Sequence, residues 1–180
     1  MEGSIWSAVG PGVGNSSCTS CSQDVEILKA NGSHLYIGGE FATVGGNTNL
    51  KKLVKWDGSS YSAVGNGTLT ARNIYAIEFE NDTIYVGSDE LLSYDNINMR
   101  GISKFNGTSW SGLGSGICLV NGNTVNSILI YENKLHCGGN FYQAGNKVAS
   151  NFATYTFPQS LSTYYQDNDN DGYGNPNVTT

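Results

Sequence analysis

Carboxylates at alternating positions near the C-terminus form the most specific chemical motif in this sequence. Asp167, Asp169 and Asp171 are each separated by one residue, and Gly172 follows the third. Calcium prefers hard oxygen ligands, and a glycine in such a loop allows the sharp turn that gathers them around one ion. The spacing therefore predicts a calcium loop. A solvated acidic linker is the alternative interpretation of the same residues.

The cysteines permit a disulfide, a metal site or neither. There are four of them, at Cys18, Cys21, Cys118 and Cys137. Four thiols allow three disulfide pairings, among which the sequence cannot choose. Cys18 and Cys21 have the spacing of half a zinc site, but no other cysteine or histidine pair supplies the second half. A disulfide is the preferred interpretation, while inert thiols and zinc remain open.

Other ionisable side chains form no catalytic constellation. His34 and His136 lie among apolar residues of strand-like segments, where packed residues are expected rather than general bases. Glu40, Asp89 and Asn140 stand just after the glycines of a repeated segment. One polar group per repeat suggests a ligand-binding or ion-binding site at one end of the array, although turn capping in solvent is the preferred interpretation. The sequence predicts that the chain is not an enzyme.

Two motifs recur in step about every 50 residues, which indicates a repeat architecture. The first motif is an apolar segment with one or two glycines, and the second is a Lys-aromatic-Asx-Gly turn followed by a short strand. The first occurs at 35–41, 84–89 and 135–141, and the second at 55–65 and 104–114. Because both motifs keep their order, the repeat defines units at about 11–65, 66–114 and 115–157.

Each unit reads as four short strands joined by tight turns. Asn31-Gly32, Asn81-Asp82 and Glu132-Asn133 separate pairs of apolar runs, as hairpin turns do. Four antiparallel strands with a period near 50 predict an all-β fold, a β-propeller-like array of about three blades. The aromatic residues before the second motif's turn should then be buried between blades. These residues are Trp56, Phe105 and Tyr155.

The ends of the repeat are complementary. Residues 2–10 match the outer strand of a unit, and the third unit lacks that strand after Tyr155. We therefore expect the strand Ile5–Val9 to complete the blade of Phe152–Tyr155, within one chain or between chains. Three blades fall below the usual four to eight, so the sequence predicts either a homo-oligomer that shares a ring or a longer propeller. Residues 1–157 form the repeat domain, and 158–180 form a linker and acidic tail.

The repeat resembles kelch-like, glycine-rich propeller repeats of large secreted bacterial surface proteins. The resemblance rests on Leu-Tyr-Ile-Gly-Gly-Glu-Phe at 35–41 and on Lys-Trp-Asp-Gly-Ser-Ser-Tyr-Ser-Ala-Val-Gly at 55–65, and it implies a non-enzymatic binding or display module. The tail resembles the calcium-binding segment that follows such propellers. That likeness implies Asp167, Asp169, Asp171 and the Tyr173 carbonyl as calcium ligands, without the bidentate glutamate of helix-flanked loops.

Composition narrows the class of partner. A net charge of −6 argues against nucleic acid, whose phosphates require a basic surface. No apolar stretch has the length of a membrane span. The residue usage is extracellular in character, and the missing signal peptide indicates an excerpted or processed chain. We expect a secreted or cell-surface module that binds protein or glycan. The alternative is an excerpt of a propeller-containing extracellular hydrolase whose catalytic residues lie outside this chain.

Overall fold

The structure is a computed structural model that describes residues 5–14, 23–65, 73–94, 97–118 and 124–158. Within these ranges all regular structure is β-strand, and the sheets are antiparallel. The predicted all-β class is therefore confirmed, and the architecture is consistent with a propeller-like array. In the same ranges no helix has the length and apolar character needed to span a membrane.

The strands follow the three repeat units. The first unit contains β1 (Asp24–Asn31), β2 (His34–Glu40), β3 (Leu53–Trp56) and β4 (Tyr61–Ala63). The second contains β5 (Ile74–Glu80), β6 (Thr83–Tyr94), β7 (Ile97–Phe105) and β8 (Trp110–Gly112). The third contains β10 (Thr124–Tyr131), β11 (Lys134–Asn140) and β14 (Phe152–Thr156). Three short strands lie outside this pattern: β9 (Ile117–Cys118) before β10, and β12 (Gln143–Ala144) and β13 (Lys147–Val148) between β11 and β14. Units one and two each pair their four strands in chain order, whereas the described part of the third pairs three.

The turns explain why these segments form hairpins. The first two strands of each unit are joined by two residues, and positive φ angles occur there at Gly32, Asn81, Glu132 and Asn133. Such backbone angles match the twist of the flanking strands. The predicted hairpins are thus present in all three units, although the first turn consists of Gly32 and Ser33, one residue later than predicted.

A side-chain carboxylate organises the turn between β3 and β4. Asp57 Oδ1 accepts hydrogen bonds from the backbone amides of Ser59 and Ser60 at 2.8 and 2.7 Å. The amide of Ser60 and then that of Ser59, with both serine hydroxyls, hold the pKa of Asp57 well below its usual value. Asn106 Oδ1 makes the same two amide contacts in the second unit, so either Asx residue can form this turn.

The units pack through their first strands. β5 contacts both β1 and β10, which places the second unit between the other two. One apolar cluster joins units one and two, and another joins units two and three. A single backbone pair, Thr124 with Asp89, also links the second and third units into one continuous sheet.

One packing prediction differs from the structure in part, and another is not met within a single chain. Phe105 is buried as predicted, but Trp56 and Tyr155 are only half-buried. Residues 5–9 form no strand, and β14 pairs with β11 alone among the described residues. Val9 accepts a hydrogen bond from the Tyr61 hydroxyl at 3.0 Å. This contact holds the start of the chain on the first unit, with the second unit between it and β14.

Candidate functional site

The joints between neighbouring units are built around a glycine in the second strand. A Cβ added to Gly38 would lie 2.7 Å from Ile74 Cγ2 of the next unit, and one added to Gly87 would lie 2.8 Å from Val125 Cγ1. Ile74 and Val125 are fully buried. The glycine therefore makes room for a branched side chain on the first strand of the following unit.

The third unit presents the same glycine to solvent. A Cβ added to Gly138 would meet nothing closer than a backbone oxygen of its own unit, Asn151 O, at 3.8 Å. Around this glycine lies an exposed surface, the open face, which consists of Leu129, Tyr131, His136, Gly138 and Phe152. It borders a largely apolar concavity of about 440 Å³.

Comparison with the other units shows what the open face lacks. Phe152 pairs with Gly138 as Leu53 pairs with Gly38 and Ile102 with Gly87. Leu53 and Ile102 are buried, whereas Phe152 is 64% exposed. The difference arises because the next unit covers the first two positions, and nothing in the described chain covers the third.

The first unit has the complementary deficiency. Val25 and Leu28 occupy the positions of Ile74 and Ile77 in the second unit, where both isoleucines are buried. Val25 is 42% exposed and Leu28 is 56% exposed. Trp6, at the position of Tyr61 in the repeat motif, is fully exposed. We call Trp6, Val25 and Leu28 the leading face.

A cavity lies beside the third unit's half-buried aromatic residue. It has a volume of about 280 Å³ and is bordered by Tyr155, Leu113 and Gly114 among others. In the second unit Trp110 packs on Phe105, with ring centres 5.2 Å apart. In the first unit Tyr61 packs on Trp56 at 4.4 Å. Tyr155 has no such outer-strand partner among the described residues.

The polar residues predicted as a ligand site do not form one equivalent set. Asp89 is buried and accepts a hydrogen bond from the backbone amide of Asn73 at 2.8 Å. Glu40 is half-buried, and Asn140 is exposed at the end of β11. Burial is the main cause that raises the pKa of Tyr75, and the nearby carboxylates of Asp89 and Glu40 add to it. Glu40 and Asp89 therefore approach the same phenol, and Asp89 also supports the backbone.

The sulfur and imidazole groups of the third unit have packing partners. Cys137 is a free, buried thiol, and burial raises its pKa to about 11. His136 stacks on Phe152 with ring centres 6.0 Å apart, and its Nδ1 lies 3.0 Å from Thr154 Oγ1. Its Nε2 is buried without a hydrogen-bond partner. These contacts make His136 part of the open face.

The predicted calcium ligands lie outside the described residues, as do Cys18 and Cys21. Within the described ranges no three His, Cys, Asp or Glu side chains are grouped so that they would hold a metal ion. The prediction of calcium binding by Asp167, Asp169, Asp171 and Tyr173 therefore stays a prediction.

Single-residue chemistry did not predict the open and leading faces, because their residues are ordinary apolar strand residues. The signal was present in the repeat itself. Val25 aligns with Ile74, and Gly138 aligns with Gly87, so each end of the array carries half of an inter-unit joint. No family model, curated protein or solved structure matches the chain.

Proposed function

We propose that the chain is a non-catalytic, secreted or cell-surface interaction module that binds a protein through the open face. Leu129, Tyr131 and Phe152 are all more than half exposed on one side of a sheet. Contiguous exposed apolar patches on a protein surface often mark protein-interaction sites. This surface is the observation that carries the proposal.

Several carboxylates of the described residues are engaged in ion pairs or hydrogen bonds within the fold, which favours a binding role over catalysis. Lys29 Nζ lies 2.8 Å from Glu78 Oε1 across the joint between the first and second units. Glu80 accepts a hydrogen bond from the Tyr85 hydroxyl at 3.3 Å. Asp57 organises a turn through backbone amides. Each of these carboxylates has a structural contact, which is consistent with a binding module.

Each repeat unit is one propeller blade in this interpretation, so that the chain carries three blades of a ring. The order of the inner strands, with β5 between β1 and β10, and the repeated glycine joints support this interpretation. Calcium binding by the acidic tail is part of the same proposal and rests on the sequence motif. Calcium would fix the direction of the chain as it leaves the repeats.

Retention of proteins on the immobilised chain tests the proposed function. Wild-type chain and the Leu129→Ser/Phe152→Ser variant are coupled to beads and exposed to the extracellular proteins of the source culture and to the chain itself. We expect at least one protein to bind the wild type and not the variant. A Val148→Asp variant is the control, because Val148 is exposed but lies outside the open face. Equal retention by wild type and by the open-face variant would contradict the proposal.

A further inference from the structure

The open face and the leading face are the two halves of a joint that the chain already forms twice. In each internal joint, a buried branched residue on a first strand sits against a glycine of the preceding unit: Ile74 on Gly38, and Val125 on Gly87. Among the described residues, Val25 is a branched residue with no glycine of a preceding unit against it, and Gly138 is a glycine with no branched residue of a following unit against it. The same sequence positions therefore provide a complementary pair at opposite ends of the array.

Local backbone geometry is also matched. All three first strands carry the same irregularity in register, between Val25 and Ile27, between Ile74 and Ala76, and between Val125 and Ser127. The irregularity sits at the branched residue that enters the joint. The first strand of the first unit thus already has the backbone shape with which its equivalents fit against the glycine.

The outer strand supplies a second contact. In the second unit, Trp110 lies on Phe105 and is buried. The corresponding pair in a joined third unit would be Tyr155 and a residue from a strand added to β14. Trp6 holds the matching sequence position and is fully exposed. The cavity of about 280 Å³ beside Tyr155 gives an indole room to enter.

We infer that a second copy of this chain occupies the open face, in a head-to-tail arrangement. Val25 of one copy sits against Gly138 of the other, and residues 5–9 add as a strand to β14 with Trp6 beside Tyr155. This inference rests on the proposed function and names its protein partner. Two copies of three units bring together six blades, which is within the range of four to eight that closes a ring. A head-to-tail joint that closes after two copies gives a dimer.

Two substitutions disable the joint from opposite sides. Gly138→Val fills the site of the incoming side chain, and in the single chain its Cβ would meet no atom closer than 3.8 Å. Val25→Asp places a charge where its equivalents are buried, yet Val25 is itself 42% exposed. Both variants should fold, and Val148→Asp, at an exposed residue away from both faces, is the matched control.

Sedimentation equilibrium of the wild type, the variants and their mixture tests the inference, with far-UV circular dichroism to establish folding. We expect the wild type and Val148→Asp to have twice the mass of one chain, and each joint variant to have the mass of one chain. An equimolar mixture of the two joint variants should regain the dimer mass, because one intact Gly138 and one intact Val25 still form a single joint.

Three results would overturn the inference. They are a monomeric wild type at all concentrations, a dimer that survives Gly138→Val or Val25→Asp, and a mixture that stays monomeric. Survival of the dimer in Val25→Asp but not in Gly138→Val would indicate two open faces in contact with each other. A monomeric wild type whose beads still retain another protein through the open face would leave the proposed function standing and remove only the second copy.

Discussion

The glycine of the second strand has a different role in each unit, although its sequence context is similar. Side chains of the next unit pack against Gly38 and Gly87, whereas no described side chain packs against Gly138. The sequence predicted that these glycines allow close approach of strands. Which neighbour approaches each glycine depends on packing between units that are about 50 residues apart, and among the described residues Gly138 has no such neighbour. The sequence alone therefore did not identify the open face.

Alanine substitutions at the three glycines should separate these roles. On the Val25→Asp background, which removes the intermolecular joint, Gly38→Ala and Gly87→Ala should each lower the free energy of unfolding by about 1–3 kcal/mol through overpacking. Gly138→Ala should leave it unchanged or slightly raised, because alanine restricts the unfolded chain. Urea denaturation followed by circular dichroism measures all three. Equal losses at the three positions would contradict the assignment of joints.

Asp57 gives the protein a predictable response to acid. Hydrogen bonds from the Ser60 and Ser59 amides lower its pKa in the folded state, while the unfolded value is about 3.9. The ionised Asp57 carboxylate therefore stabilises the folded state above a pH of about 4, and this stabilisation is lost as the pH falls towards the pKa of the folded state. Asp57→Asn keeps the turn, as Asn106 shows in the second unit. The variant should lose less stability between pH 5 and pH 3, by urea midpoint, than the wild type, and an identical loss would refute this origin.

Cys137 should be chemically silent in the folded protein. Burial raises its pKa to about 11, so the reactive thiolate is scarce near neutral pH. Iodoacetamide at pH 8, read by peptide mass spectrometry, should label Cys137 slowly in native protein and rapidly in urea. Rapid labelling of the native chain would show that this part of the third unit opens readily.

At the scale of strands, the hairpins and short turns were predictable, because they depend on two to four neighbouring residues. The middle unit shows where such prediction fails. In the first unit, a Cβ added to Gly39 would collide with the backbone oxygen of Asp24 at the start of β1. The second unit has Ser88 at the position of Gly39, so its first strand cannot begin in the same way. β5 accordingly begins at Ile74, one position later than its equivalents in the repeat, and the Asp89 side chain bonds the Asn73 amide. Asp89 thus compensates for a lost backbone pair, a role that the sequence did not indicate, while its predicted ligand binding stays a prediction.

The acidic tail is the element with the most specific predicted ligand. Calorimetric titration with Ca²⁺ should give a dissociation constant of about 10⁻⁴–10⁻³ M, since the loop offers few ligands and no bidentate glutamate. Asp169→Ala/Asp171→Ala should abolish the heat, and Asn168→Ala/Asn170→Ala is the control at the intervening positions. Absence of heat from the wild type at millimolar Ca²⁺, or equal heat from the Asp variant, would exclude this site.

At the scale of the whole molecule, the described residues form an array whose first and last units each carry half of a joint that no other described residue completes. An exposed edge strand such as β14 also invites pairing with another chain. The sequence predicted that residues 5–9 belong to the third unit's sheet, and the structure shows that they do not reach it within one chain. In a ring of two chains, the leading face of each chain covers the open face of the other, through the same kind of contact that joins neighbouring units within one chain.

Hydroxyl-radical footprinting, read residue by residue by mass spectrometry, tests this joint most directly, because it reports on both faces in one sample. The wild type should show slower oxidation of Trp6 and Phe152 than the Gly138→Val variant, while Tyr142, which is exposed and lies on neither face, should oxidise equally in both. Protection of both residues in the wild type is the result that a head-to-tail dimer predicts. Equal oxidation of Trp6 in the two proteins would contradict it.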